Sequence, residues 1–258
     1  MSRGEPGPRP SPRHAQSGQA AIETAIILPL FVFLILGILQ LGMMHQARLM
    51  AKYAAYRAVR VGSLHHAHKD AMEQAGLAVL LPLISQDQGG GESIQPVTGA
   101  KNFQKKWNSE GVSTNQMPDA KLPYVAVTIC GPTLQELPGG TRELDFDDPR
   151  VASSPYDEWL QSHRTKLRIQ VTLNYRLPIP FANWVIHSIA LQRELPMLMR
   201  MGKQQPPGQN LFGQEYADAA NRGVYILPIR AAYTMRMQSN LYASALPQSN
   251  TCLTTNHL

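Results

Sequence analysis

A single carboxylate, Glu23, stands at the entrance of the apolar run GQAAIETAIILPLFVFLILGILQLGMMHQA, Gly18 to Ala47. From Thr24 to Ala47 the chain carries no Asp, Glu, Lys or Arg. An acid in that position has two uses. It can sit against the partial positive charge of a helix N-terminus, or it can have a functional role inside the membrane. A charge at the centre of a bilayer costs about 2.5–3.5 kcal/mol on insertion scales, and less toward the ends. One turn into the run that cost is partial and a partner offsets it. The functional reading leads, because an ionisable group inside a span is functional by default.

Three other groupings of reactive residues carry weaker signals. His65, His66 and His68 form an HHxH run, and on a continuing helix His66, Asp70 and Glu73 share one face. That set suits a metal, but it equally makes a solvated, pH-sensitive helix face, which is the reading adopted. Asp145, Asp147 and Asp148 in DFDDP lack the spacing, the glycine and the terminal glutamate of an EF-hand. They read as a polar turn. Cys130 and Cys252 are the only cysteines, too few for a cysteine zinc site or a disulfide scaffold. They either form one bridge in an exported domain or are two unrelated thiols. No GxSxG, HExxH, CxxC or P-loop occurs, and Gly89-Gly90-Gly91 lacks both the Gly-Lys-Ser/Thr ending and a preceding strand. The expectation is a protein without catalytic residues, metal or cofactor.

What must position Glu23 is a membrane helix. About 20 apolar residues at 1.5 Å each cross a bilayer, and no other stretch of the 258 residues has that length. Pro29 removes a backbone donor and frees the carbonyl of Ala25, which predicts a mild kink. Gly37 and Gly42 are small sites where another helix can approach closely. Ahead of the run, MSRGEPGPRPSPRHAQS is rich in Pro, Gly, Ser and Arg; it cannot bury apolar surface and is expected to be disordered. A basic tail before an apolar run also describes a secretory signal peptide. The run is too long for one, and no small-x-small cleavage site follows near Met43 to Ala47.

Gly18 followed by Gln19, with Glu23 the fifth residue beyond the glycine, resembles the class III leader of type IV pilins and pseudopilins. More narrowly, the opening GQAAIETAIILPL resembles TadE-type proteins of the tight-adherence pilus system, well from Gly18 to about Gly62 and loosely beyond. The resemblance implies a prepilin peptidase that cuts between Gly18 and Gln19 on the cytoplasmic side and leaves the helix in the membrane. It implies that Glu23 pairs with the new N-terminal ammonium of a neighbouring subunit. The partners it implies are other pilins or pseudopilins, the inner-membrane pilus assembly platform and the lipid bilayer. There are departures. Gln19 stands where type IV pilins usually carry Phe, and Thr24 follows Glu23 where the small major pilins have Tyr. The chain is also far longer than those pilins, so an accessory pseudopilin fits better than a fibre subunit.

Past the span, Ala47, Ala51, Ala54 or Ala55, and Ala58 recur at three-to-four spacing. This small-residue stripe packs either on the chain's own domain or on neighbouring subunits. Arg48, Lys52, Arg57 and Arg60 supply charge, and Tyr53 and Tyr56 suit an interfacial belt. Helix periodicity continues, with a bend at Gly62, to about Ser85, and a flexible surface linker over 86–123 follows. A domain over 124–247 shows three strand signals. Tyr124 to Cys130 is short and β-branched. In Lys166 to Arg176, Leu167, Ile169, Val171, Leu173 and Tyr175 alternate with polar residues, as in a half-buried antiparallel strand. In Tyr225 to Met237, Pro228 requires an edge or a bulge. Short helices are expected from Ser154 to His163, behind an N-cap and a first-turn proline; from Phe181 to Arg193, lying on the sheet; and from Gly213 to Asn221, closed by Gly223. The tail over 248–258 reads as loose.

The fold class expected is α+β, on the pilin-like plan: a long N-terminal transmembrane helix, then a small antiparallel sheet domain with short helices. The net charge is +6 with 16% charged residues, and the cations are scattered, densest just past the span. Without interleaved basic and aromatic residues, nucleic acid is not an expected partner; lipid headgroups or acidic partners suit the charge better. Basic residues after the span outnumber those before it, which alone would place the C-terminal part in the cytoplasm. A pilin-type leader demands the opposite, and large domains translocate despite flanking charge. The leader is followed here. Residues 1–18 are then cytoplasmic, residues 19–85 form the helix in a single pass of a bacterial inner membrane, and the domain is extracytoplasmic. The alternative is a membrane-anchored extracytoplasmic binding or enzymatic domain whose tail is never removed.

Overall fold

The structure is a computed structural model that describes residues 15–87, 92–137, 142–147, 163–190 and 213–252. Its longest element is α1 (Ala15–Leu64), 50 residues, or about 75 Å at 1.5 Å per residue. That is more than twice the thickness of a hydrocarbon core. The two halves of α1 meet different surroundings. Large apolar side chains from Ile22 to Leu41 are exposed, whereas Ala47, Ala51, Ala54, Ala55, Ala58 and Val59 are fully buried. After α1 come α2 (Lys69–Leu80), β1 (Ser85–Asp87), β2 (Glu92–Ile94), α3 (Ala100–Trp107), β3 (Val125–Gly131) and β4 (Glu143–Leu144). The described remainder holds β5 (Lys166–Arg176), α4 (Ala182–Ala190), α5 (Gln214–Asn221), β6 (Ile226–Arg236) and β7 (Leu241–Tyr242). The arrangement is α+β, as the sequence indicates. The helix expected from Ser154 lies outside the described residues up to position 162.

The alanine stripe of α1 lies on the main sheet, which is antiparallel with the order β3-β5-β6. β5 is central and is buried on both faces. Leu167, Ile169 and Val171 point into the core, fully buried, while Gln170, Asn174 and Arg176 on the other face are buried too. This corrects the half-buried reading of that strand. The polar face is covered because its groups find partners: Tyr216 Oη donates to Asn174 Oδ1 (2.8 Å) and Asn174 Nδ2 donates to the Pro123 carbonyl (2.7 Å). Arg168 donates to both oxygens of Glu136 (2.7 and 2.6 Å). Such contacts leave no periodic trace in a sequence.

The helix does not run on to Ser85. It stops at Leu64, His66 and Ala67 take left-handed backbone conformations (φ 52° and 59°), and α2 folds back along α1. Two non-glycine residues held there cost roughly 1–3 kcal/mol each. A clamp from the chain after β6 offsets the cost. Gln238 N–H and Ser239 Oγ both donate to the Ser63 carbonyl (3.0 and 2.9 Å), and His66 N–H donates to Ser239 Oγ (3.0 Å). Gly62 permits the reversal because a Cβ there would sit 2.4 Å from Met72 Sδ. The bend expected at Gly62 is therefore a full turn just beyond it.

The outer edge of β3 is closed by side chains, which removes a template for unwanted strand pairing. Glu73 of α2 accepts the Val127 N–H (3.1 Å). Asn115 accepts the Val125 N–H (3.0 Å) and donates to the Val125 carbonyl (2.6 Å). The opposite edge is β6, where Pro228 stands across from Asn174, as an edge strand allows.

The segment expected as a flexible linker, 86–123, packs on this core in its described part. Val112 and Met117 are fully buried, and Ala120 and Leu122 nearly so. Arg176 at the end of β5 holds the segment from both sides. Its Nε donates to Glu92 Oε1 (2.8 Å) and its Nη2 lies 2.7 Å from Asp119 Oδ2. Burial alone would lower the guanidinium pKa, but hydrogen bonds to Asp119 and Glu92 raise it and keep the group charged. Gly, Gln, Ser and Asn dominate the segment, so composition hides the few apolar residues that anchor it. Cys130 at the end of β3 is bonded to Cys252, with Cα atoms 5.4 Å apart. The first part of the tail, expected to be loose, is thus tied to the sheet, and Leu134 N–H donates to the Pro247 carbonyl (2.9 Å) beside it.

Two measurements follow from this packing. Lys106 is buried and donates to the Gln95 carbonyl (2.9 Å), and burial lowers its pKa to about 8. Below pH 8 both folded and unfolded chains hold the proton and the burial cost is complete. Between pH 8 and the ordinary value of 10.5 only the unfolded chain holds it, so this group's contribution to stability rises with pH. Urea unfolding in detergent should show the wild type gaining about 1–3 kcal/mol on Lys106→Met between those pH values; a constant difference would refute the assignment. Removing the bridge frees a loop spanning 122 residues of sequence, and Cys130→Ser/Cys252→Ser should cost about 2–4 kcal/mol in the same assay. An unchanged midpoint would mean that the tail contributes nothing to the domain.

Candidate functional site

The candidate site is α1 itself, from the junction at Gly18 to the charged collar beyond the span. Gly18 and Gln19 already lie within the helix, and Glu23 follows one turn after Gln19, on an exposed position. Beside it, Thr24 Oγ1 donates to the Ala20 carbonyl (2.8 Å), so that hydroxyl is satisfied by the helix's own backbone. α1 continues unbroken through Pro29. Around Gly37 and Gly42 nothing lies within 4 Å of where a Cβ would stand, which leaves room for a second helix at either position.

Among the described residues, α1 is the one helix long and apolar enough to cross a membrane, and its most apolar window buries nothing against the domain. Exposed Leu, Ile, Val and Phe dominate it from Ile22 to Leu39, with no residue buried in that stretch. Helices apolar all round belong in a core or a bilayer, and this one has no core around it.

The window ends at Gln40, the first side chain after Thr24 with hydrogen-bonding groups. Gln40 is fully buried, and its Oε1 accepts the Ile179 N–H (3.0 Å). The loop before α4 is thereby fixed against the far end of the span. The sequence contained a signal for this contact that went unused: from Leu177 to Gln192 there is no charged residue.

Beyond Gln40, Arg48, Lys52, Arg57 and Arg60 are exposed while the alanines between them face the sheet. The stripe is therefore taken up by the chain's own domain, and the α1 surface left open to other subunits is the apolar window. Tyr53 stacks on Tyr56, whose ring meets Tyr233 of β6 edge-on (5.4 Å between centroids).

The weaker groupings do not assemble into sites. The reversal at His66 and Ala67 removes the helix face that His66, Asp70 and Glu73 were expected to share. His66 Nδ1 instead lies 2.8 Å from the Asn240 carbonyl oxygen, and Glu73 is engaged with β3 and, at 3.7 Å, with Lys69. Asp145 Oδ1 accepts the Asp147 N–H (3.0 Å), which makes a turn; Asp148 lies outside the described residues. Among the described residues no group of His, Cys, Asp and Glu is placed to hold a metal ion.

Residues 18–60 match the family model for TadE-like protein. No curated protein and no solved structure matches the chain. The family match opens at Gly18, takes in Glu23 and the whole exposed window, and ends among the alanines buried on the sheet. The exposed apolar part of α1 and the collar that joins it to the domain lie within the segment that matches the TadE-like model.

Proposed function

We propose that this chain is a non-enzymatic, membrane-anchored pseudopilin that contributes to assembly of a tight-adherence pilus or its secretion apparatus. The observation that carries the reading is the TadE-like match beginning at Gly18 on a helix whose span is wholly exposed. A helix that buries none of its apolar window in its own domain has that surface free for lipid and for other helices. In this reading a prepilin peptidase cuts after Gly18, and residues 1–18 are the cytoplasmic leader. The Glu23 carboxylate then lies four residues, about 6 Å along the axis, from the new ammonium of Gln19. A neighbouring subunit displaced by that one turn brings its ammonium level with Glu23. In the apolar surroundings of packed helices such a pair fixes register, since either charge left alone is costly.

The domain sits outside the cytoplasm in this proposal, with the span in the bacterial inner membrane. The Cys130–Cys252 bond supports that side, because such bonds persist in oxidising compartments. The basic collar on the domain side is compatible with it, since large domains translocate regardless of short flanking charge.

Intact-mass analysis of the protein from membranes should give a chain beginning at Gln19; retention of residues 1–18 would sink the pseudopilin reading in favour of an uncleaved anchored domain. Glu23→Ala should abolish or strongly reduce surface pili while leaving the domain's thermal unfolding unchanged. Normal piliation in that variant would show that Glu23 has no pairing role.

A further inference from the structure

A second membrane contact lies beside the span. α4 carries no charged residue, and the uncharged stretch around it extends from Leu177 to Gln192. One face of α4 meets the domain: Ala182 and His187 are buried, and His187 meets Tyr225 edge-on (5.4 Å between centroids). The other face is open and apolar, with Trp184 58% and Ile189 44% exposed. Phe181, just before the helix, is 71% exposed and held in a left-handed conformation (φ 65°). A bulky residue with positive φ is an outlier that the surroundings must enforce. Here the enforced conformation presents a ring outward.

The height of this face is set by one contact. Ile179 N–H bonds to Gln40, and Gln40 is 18 residues, about 27 Å, along α1 from Ile22. A hydrocarbon core is about 30 Å thick. The contact therefore falls where the acyl chains give way to headgroups on the domain's side. The exposed cations Arg48 and Lys52 stand two to three turns further along α1, in reach of headgroup phosphates. At that depth a backbone N–H without a partner costs several kcal/mol, and Gln40 supplies the partner.

We propose that α4, with Phe181, is an interfacial helix seated in the leaflet on the domain's side, its Phe181, Trp184 and Ile189 side chains in contact with lipid. The occupant is the bilayer itself, because Ile179 just before α4 is bonded to Gln40 at the end of the exposed window of α1, and α4 shares that window's lack of charge. Trp and Phe at that level suit the boundary region. α1 and α4 then hold the domain at two points, which fixes its tilt as well as its distance. The inference rests on the reading that α1 spans the bilayer.

The test uses the full chain in vesicles of phosphatidylethanolamine and phosphatidylglycerol containing a phosphatidylcholine with a photoactivatable group on one acyl chain. Adducts are mapped by mass spectrometry. Adducts are expected on residues 22–41 and, at comparable density, on 181–189, with several-fold fewer on the aromatic residues Phe103 and Trp107 of α3. Adducts on 22–41 without any on 181–189 would overturn the interfacial helix and leave the span intact. Absence from both would overturn the span and this inference with it. Trp184→Asp should lose the 181–189 adducts while Trp184→Leu retains them, with the far-UV circular dichroism and the thermal unfolding midpoint unchanged in both. Equal labelling in the two variants would show that the face does not contact lipid.

Discussion

The packing of α1's alanine-lined face into the core it shares with α2, β5 and β6 is the contact on which the rest of the molecule depends. Ala47, Ala51, Ala54, Ala55 and Ala58 are all fully buried, and each contributes only one methyl group. Their value lies in closeness. Small side chains bring the helix backbone near the sheet, so that many weak dispersion contacts form along several turns. The same helix continues into the exposed window without a break, so one element connects the sheet to the apolar window. A flexible hinge between anchor and domain would leave the domain's orientation undetermined; here the orientation is set by the helix itself.

The chain turns back from that helix under constraint. The reversal at His66 and Ala67 places α2 over the edge of β3, where Glu73 and Asn115 satisfy the outward groups of Val125 and Val127. Arg176, shared between Glu92 and Asp119, holds the long insertion on the core. The insertion, the strand edge and the C-terminal tail are each fixed by one or two polar or covalent contacts at their ends. The insertion also contributes Val112, Met117, Ala120 and Leu122 to the apolar core, and the polar contacts hold its ends.

Two polar side chains mark the ends of the span and have opposite situations. Glu23 is on the exposed surface of α1, and its use in the proposed function is toward another subunit. Gln40 is fully buried and bound to Ile179 of the same chain. One is open on the helix surface, and the other ties the loop before α4 to the far end of the apolar window. The interval between them has the length of a membrane core.

Read alone, the sequence was decisive wherever a repeat or a run expresses the physics. The absence of charge from Thr24 to Ala47 marked the long apolar helix, the bounds Lys166 to Arg176 are those of β5, and Pro228 located an edge strand. The TadE-like character of residues 18–60 was legible at Gly18, Gln19 and Glu23. What only the tertiary structure decided depends on partners far apart in the chain. Helical periodicity persists through His65 to His68, yet the helix stops because Ser239 and Gln238 clamp the turn. Polar composition suggested a loose linker, yet Arg176 and four apolar residues fold it in. Nothing in the run from Gly18 to Ala47 sets Gln40 apart, and its role appears only with Ile179 beside it. Periodicity reports which solvent a residue's face meets; it carries no record of a single hydrogen bond made across the fold.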